Sequence, residues 1–188
     1  MRNARHGGFV FTSNVDGHFQ KAGFPHDRIV EVHGSIHYLQ SVDGTGPIVP
    51  VDPCLKVVLE PDTFRARPQL PVMPNGSAAR PNILMFGDYW WIDTRSSKQY
   101  DMLRSWLGAL HNDGVQNVVV LDIGSGTAVP TARLAAANMV EAFANAMLIR
   151  INTREPELDL LPGAVSPERG VTFAEGAASV LRDIESLI

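Results

Sequence analysis

The sequence predicts an α/β fold, a Rossmann-like parallel sheet with a small loop-rich module inserted into it. Short apolar runs that end in Gly, Asn or Asp alternate with segments of helical periodicity, which is typical of strand–helix–strand units. The runs are continuously apolar, as expected for strands covered on both faces. Finally, 8 of the 13 prolines lie between Pro47 and Pro81, where no helical period occurs.

Five apolar runs are the predicted strands. Each is followed by a glycine or a short polar residue, the residue types that end strands and turn the chain. Parallel strands joined through helices have their carboxyl ends at one edge of the sheet. The predicted strands cover residues 8–12, 28–32, 82–86, 117–121 and 146–151.

Three segments are predicted helices. Apolar residues at helical spacing predict one over residues 97–111. Pro130 suits the first turn of a helix and predicts a second one to about residue 146. The capping-box pattern of Thr172 and Glu175 predicts that the last helix begins there.

The cluster of prolines sets the predicted domain division. Residues 1–40 and 82–188 are expected to form the Rossmann-like domain, and residues 41–81 the inserted module. The one strand-like run inside the module is Leu55 to Glu60.

Composition excludes several classes of protein. The formal net charge is −4 and no basic block interrupts it, so nucleic-acid binding through phosphates is not expected. The longest apolar runs are too short to span a bilayer, and no secretory signal precedes them, so a cytoplasmic protein without membrane contact is expected. The single cysteine, Cys54, excludes an internal disulfide and an all-thiolate zinc site.

Polar residues gather at the predicted carboxyl ends of the strands, the edge at which open parallel sheets bind ligands. Such residues also simply terminate strands, and each taken alone is explained that way. His33 is the best candidate for a base, because imidazole titrates near neutral pH. The ends carry Asn14 and Asp16, His33, Gly87 and Asp88, Gly124 to Gly126, and Asn152.

The turn from Gly124 to Thr127 lies between a predicted strand and a predicted helix. Glycines there let backbone N–H groups approach a phosphate, and the start of the helix adds partial positive charge. The motif is incomplete, because Val129 stands where a dinucleotide-binding fingerprint has its third glycine.

Taken in order along the chain, six segments resemble the sirtuins, the NAD-dependent protein deacylases. The family patterns are T-Q-N-[IV]-D-G, a catalytic H-G, R-P-x-V-V-x-F-G-E, G-T-S-L-x-V-x-P and a late I-x-I-N. The corresponding segments here are T-S-N-V-D-G at 12–17, A-G at 22–23, V-H-G-S at 32–35, R-P-N-I-L-M-F-G-D at 80–88, the one-residue-shorter G-S-G-T-A-V-P at 124–130 and I-R-I-N at 149–152.

The resemblance implies a reaction between NAD and an acyl-lysine protein or peptide. The acyl oxygen attacks the ribose carbon that bears nicotinamide, nicotinamide leaves, and a histidine deprotonates a ribose hydroxyl that accepts the acyl group. His33 would be that base, and Asn14 would orient the ribose or a water molecule. Val15 and Asp16 would hold the nicotinamide carboxamide, whose N–H groups a carboxylate can accept.

The resemblance also implies roles for two later segments. Met85, Phe86 and Gly87 would pair with the substrate peptide as an added strand. Residues Gly124, Ser125 and Gly126 would approach the adenosine-side ribose and phosphate, and Asn152 would bind ribose hydroxyls.

Three departures from the family pattern bear on activity. Ser13 replaces a glutamine, and Cys54 is the only cysteine where the family has two C-x-x-C pairs, so zinc is not expected. Only 11 residues precede Thr12, and they lack the family's G-A-G-x-S loop that wraps the pyrophosphate. An N-terminally incomplete sirtuin fold is therefore expected, with an unpaired strand edge.

The sequence leaves three functions open. The first is the deacylase, the second a non-catalytic sirtuin-like remnant or interaction domain, and the third an NAD glycohydrolase or ADP-ribosyltransferase. Two explanations would reconcile the missing loop with activity: Met1 is not the true start, or the strand edge pairs with another chain in a homo- or hetero-oligomer.

Overall fold

Three separate β-sheets organise the part of the chain that the computed structural model describes, residues 6–67, 70–158 and 165–187. The chain divides into two compact units, Met1–Trp106 and Leu107–Ile188. The strands are β1 (Val10–Thr12), β2 (Ile29–Glu31), β3 (Gly34–Ser41), β4 (Val49–Pro50), β5 (Ala79–Ile83), β6 (Val119–Ile123), β7 (Met147–Ile151) and β8 (Gly170–Phe173). The α-helices are α1 (His18–Lys21), α2 (Thr94–Asn112), α3 (Thr131–Ala142) and α4 (Ala177–Glu185).

In the first unit, β1 and β2 form a parallel pair, with Val10 opposite Ile29 and Thr12 opposite Glu31. Ile29 and Val30 are fully buried, as expected for strands of a covered parallel sheet. The strands predicted over 8–12 and 28–32 are confirmed.

The N-terminal end of α2 fixes the carboxyl end of β2. Glu31 is only 1% exposed, and its carboxylate forms an ion pair with Arg95. The backbone N–H of Glu31 donates to the Gln99 side-chain oxygen at 3.1 Å. Arg95 also lies over the ring of Tyr38, 4.1 Å from its centre. These contacts hold the chain just before His33.

A second sheet of this unit is antiparallel, in the order β4–β3–β5. Sequence reasoning missed β3, the longest strand, because His33 and Gly34 were interpreted as a strand end. The strand predicted over 82–86 is wrong in both extent and direction. The observed strand, β5, begins at Ala79, ends at Ile83 and runs antiparallel to β3, with Gly34 opposite Ile83.

Gly34 is required where β3 and β5 meet. Its φ of +83° lies in the left-handed region, and a Cβ placed on it would lie 2.0 Å from the Asn82 carbonyl oxygen. The two backbones therefore approach more closely than any side chain would allow.

Buried amides lock β3 to β5 and to the segment that follows. The Gln40 side-chain oxygen accepts from Asn82 Nδ2 at 2.8 Å and from the Ile92 N–H at 3.0 Å. Gln40 Nε2 donates to the Trp90 carbonyl at 2.8 Å, and Asn82 Nδ2 also donates to the Ile92 carbonyl at 2.9 Å. Because both side chains are almost fully buried, these bonds fix the strand register.

The second unit is a three-stranded parallel sheet in the order β6–β7–β8, against which α3 packs. Val119 pairs with Met147, and Leu148 with Gly170. Parallel strands joined through helices make this an α/β fold, and the predicted fold class is confirmed. The buried apolar residues of this unit include Val140, Phe143, Leu148, Ile151 and Val180.

Two helix predictions need correction. The helix expected to reach residue 146 ends at Ala142, because Phe143 takes an extended backbone conformation. The capping-box prediction at Thr172 is wrong. Thr172 lies in β8 opposite Arg150, and α4 begins at Ala177 after Gly176. Pairing with a buried strand outweighed a local capping preference.

Regular structure is sparse between residues 41 and 81. The described residues there contain β4, the start of β5 and two isolated bridges, Leu59 with Ala66 and Val72 with Ala78. The strand-like run at 55–60 is not a strand. The division into a 41–81 module within a 1–40 and 82–188 domain stays a prediction. None of the helices in the described residues combines the length and apolar character needed to cross a bilayer.

We expect Gly34→Ala to lower the free energy of unfolding by about 2–5 kcal/mol, the summed cost of a left-handed alanine and an overpacked backbone contact. Urea denaturation measures it. Gly108→Ala is the matched control: Gly108 lies within α2 with open space around it, and we expect that variant to gain about 0.5–1 kcal/mol. A Gly34→Ala protein as stable as wild type would contradict the close approach.

Candidate functional site

In the first unit, the turn that carries Asn14, Val15 and Asp16 is held against the start of β3. The Ile36 N–H donates to the Val15 carbonyl at 2.9 Å, and His37 Nε2 donates to the Asp16 carbonyl at 3.1 Å. The Asn14 N–H donates to Thr12 Oγ1 at 3.1 Å, which bends the chain directly after β1. Asn14 is exposed and Asp16 is half-buried.

The motifs in the sequence do not single out His37, but in the structure it holds the backbone at Asp16. Its ring fills the space beside Gly17, where an added Cβ would lie 2.6 Å from the ring. Gly17 has a φ of +67°, so it supplies both the turn and the room for the ring. The Asp16 carboxylate accepts from the His18 N–H at 3.0 Å and lies 3.4 Å from His18 Nδ1.

His33 lies between β2 and β3 and is half-buried. Its carbonyl oxygen accepts from the Leu84 N–H at 3.0 Å, which continues the pairing of β3 with β5 by one residue. The segment predicted to bind a peptide, Met85 to Gly87, therefore begins directly beside the backbone of His33.

Residues 85–87 form a turn rather than the extended edge that the sequence predicts. The Asp88 N–H donates to the Met85 carbonyl at 3.1 Å, and Gly87 has a φ of +69°. Met85 is 60% exposed and Phe86 91% exposed. The peptide-binding role of these residues stays a prediction.

The ion pair of Arg80 and Asp88 holds the end of this turn. Arg80 Nη2 lies 2.9 Å from Asp88 Oδ1 and 2.7 Å from Oδ2, and Arg80 Nη1 donates to the Ile83 carbonyl at 3.3 Å. Asp88 Oδ1 also accepts from the Trp90 N–H at 3.1 Å. Burial raises the pKa of Asp88, but the bonds from Arg80 and Trp90 outweigh it, so the pKa lies below its ordinary value.

In the second unit, the turn that follows β6 carries Gly124 to Thr127. The Gly124 N–H donates to the Ile151 carbonyl at 2.9 Å, and Gly124 has a φ of +71°. Ser125 Oγ donates to Asp122 at 2.7 Å. The Ser125 carbonyl accepts from Asn152 Nδ2 at 2.9 Å. The predicted residues Gly124, Ser125 and Asn152 thus lie together.

Asn152 also organises the chain that follows β7. Its Oδ1 accepts from the N–H groups of Arg154 at 2.9 Å and Glu155 at 3.1 Å. Glu155 then reaches back to the turn: its carboxylate accepts from the Thr127 N–H at 2.8 Å and from the Thr127 hydroxyl at 2.9 Å. A carboxylate therefore accepts from one backbone N–H of the turn that the sequence predicts to approach a phosphate.

Buried charges support this turn. Arg150 Nε donates to Asp122 at 2.9 Å, and both side chains are at most 4% exposed. Arg133, 2% exposed, donates to the carbonyls of Ser125 at 3.1 Å and Glu157 at 2.6 Å. Burial lowers the pKa of Arg133, and the nearby Arg150 lowers it further.

Sequence reasoning missed Glu155, Arg133 and the pair of Asp122 and Arg150. One signal was present, because Arg150 interrupts an otherwise apolar strand and such a charge needs a partner. The partner could not be named without the register that sets Asp122 opposite Arg150.

The residues present do not fit a structural zinc site. Cys54 is exposed, and among the described residues no group of three or more His, Cys, Asp or Glu side chains is placed to hold a metal ion. That the protein is zinc-free stays a prediction.

The geometry can now be set beside known proteins. No protein-family model matches the chain. The chain is similar to a Deinococcus radiodurans protein named NAD-dependent protein deacylase. The two are 34% identical over 163 residues, which make up 84% of this chain and 54% of the relative. The chain thus spans about half the length of that relative, and the relative's name agrees with the resemblance drawn from the motifs.

The ion pair of Arg80 and Asp88 gives a pH-dependent prediction. Since the pKa of Asp88 is lowered on folding, its contribution to stability is present above the unfolded pKa of about 3.9 and is lost as the pH falls through the folded value. We expect Asp88→Asn to be less stable than wild type by about 1–3 kcal/mol at pH 7, a difference that shrinks below about pH 4.

Urea denaturation of both proteins between pH 7 and pH 3 measures this difference. Asp101→Asn, which removes a carboxylate from an exposed ion pair on α2, is the control and should differ little from wild type at any pH. A stability difference for Asp88→Asn that does not change down to pH 3 would exclude the lowered pKa.

The buried pair behind the 124–127 turn gives a second prediction. We expect Asp122→Asn to cost about 3–5 kcal/mol, because it leaves the Arg150 guanidinium buried without its carboxylate. Arg104→Met, which breaks an exposed pair, should change the unfolding midpoint little. Equal midpoints for the two variants would show that Asp122 and Arg150 do not depend on each other.

Proposed function

We propose that this protein is a member of the sirtuin family and an NAD-dependent protein-lysine deacylase, which transfers the acyl group of an acyl-lysine to ADP-ribose and releases nicotinamide. The ordered motifs and the similarity to the Deinococcus radiodurans deacylase support the proposal. The whole reaction is part of the proposal, because the chain spans about half of that relative.

The observation that carries the proposal is that β3 is hydrogen-bonded to the turn of Asn14 to Asp16 in the first unit. The start of β3 binds the turn of Asn14 to Asp16 through Ile36 and His37, and its first residue directly follows His33. Because Gly34 lets β5 approach, Leu84 also bonds to His33. These bonds support the proposal because they link the backbones of the proposed base, of Asn14 to Asp16 and of the proposed peptide-binding segment.

His33 is the proposed general base. Neutral imidazole accepts a proton near pH 7, which is what removing a proton from a ribose hydroxyl requires. His33 is half-buried, so part of the residue is accessible to solvent. Glu31, held by Arg95 and Gln99, fixes the backbone two residues before it.

Asn14 and Asp16 are the proposed contacts to the nicotinamide end of NAD. The exposed Asn14 amide can orient a ribose hydroxyl or a water molecule. Val15 and Asp16 would receive the carboxamide, the carboxylate accepting its N–H groups. His37 holds Asp16 through its backbone carbonyl, and the carboxylate, which accepts from the His18 N–H, keeps acceptor positions for a ligand.

Gly124, Ser125, Gly126 and Asn152 are the proposed contacts to the adenosine part of NAD. They lie together on the turns after β6 and β7, the carboxyl ends of parallel strands. On the substrate side, the exposed turn of Met85 to Gly87 is proposed to take the acylated peptide.

Nicotinamide release from NAD, measured with and without an acetyl-lysine peptide, tests the function. Release that depends on the peptide supports the deacylase. Release without peptide would favour NAD glycohydrolase or ADP-ribosyl transfer, and no release would favour a remnant without catalysis.

His33→Ala is expected to lower acyl transfer by about 100-fold or more, the usual contribution of a positioned base, while NAD still binds. His26→Ala, at an exposed histidine of the same unit, is the control and should retain wild-type turnover. Deacylation by His33→Ala at the wild-type rate would show that the base has been assigned wrongly.

A further inference from the structure

A carboxylate and three hydroxyl groups join two turns of the first unit that are far apart in the sequence. Asp43 lies in the turn between β3 and β4, and its Oδ1 accepts from Ser41 Oγ at 2.5 Å and from Thr45 Oγ1 at 2.7 Å. The Thr45 N–H donates to the same oxygen at 3.0 Å. Asp43 Oδ2 accepts from Ser77 Oγ at 2.7 Å, and Ser77 follows 34 residues later. We call these four residues the Asp43 cluster.

Further bonds hold the two turns in position on either side of Asp43. Asn75 Nδ2 donates to Thr45 Oγ1 at 3.2 Å, and Asn75 Oδ1 accepts from the Ser77 N–H at 3.1 Å. At the base of the second turn, the N–H of the buried Met73 donates to the Ser77 carbonyl at 2.8 Å. The hydroxyl of Ser77 therefore reaches Asp43 from a turn whose backbone is itself fixed.

The Asp43 cluster closes one end of the pairing between β3 and β5. Ser41 and Ala79 are the last pair of the two strands, and beyond it the Val42 N–H donates to the Ala78 carbonyl at 3.0 Å. The proposed base, His33, directly precedes the other end of β3. The cluster thus holds the two strands together where the chain leaves them for the sparsely structured residues in between.

The chemistry of these groups suits a hydrogen-bonded link better than a zinc site. An ionised carboxylate only accepts, and it offers about four acceptor positions, so one side chain can receive all of these donors. The donors favour the charged carboxylate and hold the pKa of Asp43 below its ordinary value, with the Ser41 hydroxyl contributing most. Zinc binds thiolates, imidazoles and carboxylates, whereas most of the side-chain oxygen atoms here belong to hydroxyl groups.

We propose that the Asp43 carboxylate takes the place of a metal ion as the link between these two turns. The resemblance to the sirtuins implies two C-x-x-C pairs between His33 and Arg80, and Cys54 is the single cysteine of that stretch. Asp43 joins two segments of the same stretch by accepting from both of them. Such a link restricts the chain between positions 43 and 77 whether or not a metal is present.

Asp43→Asn is expected to lower the thermal unfolding midpoint by about 3–6 °C. An amide has one acceptor oxygen and its NH2 group cannot accept, so some hydroxyl groups of the cluster lose their partner. Glu60→Gln is the matched control, because the exposed Glu60 carboxylate accepts from Thr63 Oγ1 at 2.9 Å within a single turn. This control should shift the midpoint by less than about 2 °C. Equal shifts for the two variants would contradict the proposal.

Ser77→Ala tests the bond between the turns, since it removes the hydroxyl that reaches Asp43 and keeps the rest of the cluster. The double variant should be little less stable than Asp43→Asn, because both changes remove the same bond. Fully additive shifts would show that the two turns are not coupled through Asp43.

Hydrogen exchange locates the effect within the chain. The Met73 amide, which is bonded to the Ser77 carbonyl, should exchange faster in Asp43→Asn and in Ser77→Ala than in wild type. The amide of the buried Leu148, in the second unit, should keep its wild-type exchange rate. An unchanged rate at Met73 in both variants would contradict the link.

Removal of metal tests whether the link is independent of zinc. The wild-type midpoint should be the same before and after dialysis against a zinc chelator, and the shift caused by Asp43→Asn should persist in the chelator. A wild-type midpoint that falls on chelation and recovers when zinc is added back would overturn the proposal, because a metal would then stabilise the fold. None of these measurements uses NAD or an acylated peptide, so their outcome does not depend on the proposed reaction.

Discussion

The approach of two backbones at Gly34 is the contact on which the proposed reaction centre depends. With no Cβ at this position, the β5 backbone comes close enough to β3 for Leu84 to bond to His33. The same strand then binds the Asn14 to Asp16 turn through its third and fourth residues. A side chain at Gly34 would push β5 away and move the proposed peptide-binding segment from the candidate base. Stability and function therefore place the same demand on one residue.

In the second unit, a buried ion pair holds the loops of the proposed site in place, whereas in the first unit the close approach of two backbones does so. The pair of Asp122 and Arg150 lies inside a parallel sheet, where replacing both by apolar residues would cost little and often nothing. The pair also holds the neighbouring loops: Asp122 binds the Ser125 hydroxyl, and Arg150 binds the carbonyl of Glu157 in the segment that carries Glu155. This ion pair thus connects the turn after β6 with the segment after β7, a connection that apolar side chains could not make through hydrogen bonds.

Some strands and the fold class could be predicted because apolar runs with polar ends are local signals, and the runs at 8–12 and 146–151 correspond to β1 and β7. The strand β3 escaped prediction because it begins at Gly34, and glycine is a residue type that is common where strands end and the chain turns. Thr172 and Glu175 match a capping box, which predicts the start of a helix at Thr172. The pairing of Thr172 with Arg150 in the sheet outweighs this local preference. The positions of His33 and Asn14 came from motifs, whereas Glu155 depends on a loop returning to Thr127, which no local pattern encodes.

The two units differ in how ready their polar groups are for a ligand. Around His33, the bonds end on backbone carbonyls at Val15, Asp16 and His33, and the exposed Asn14 side chain and the Asp16 carboxylate, which accepts from the His18 N–H, keep capacity for further partners. On the second turn, the side chains themselves are bonded to protein, since Ser125 donates to Asp122 and Thr127 to Glu155. A ligand arriving there must exchange one of these bonds for its own. An incoming hydroxyl can donate to a carboxylate oxygen that keeps one of its protein partners, because a carboxylate has about four acceptor positions.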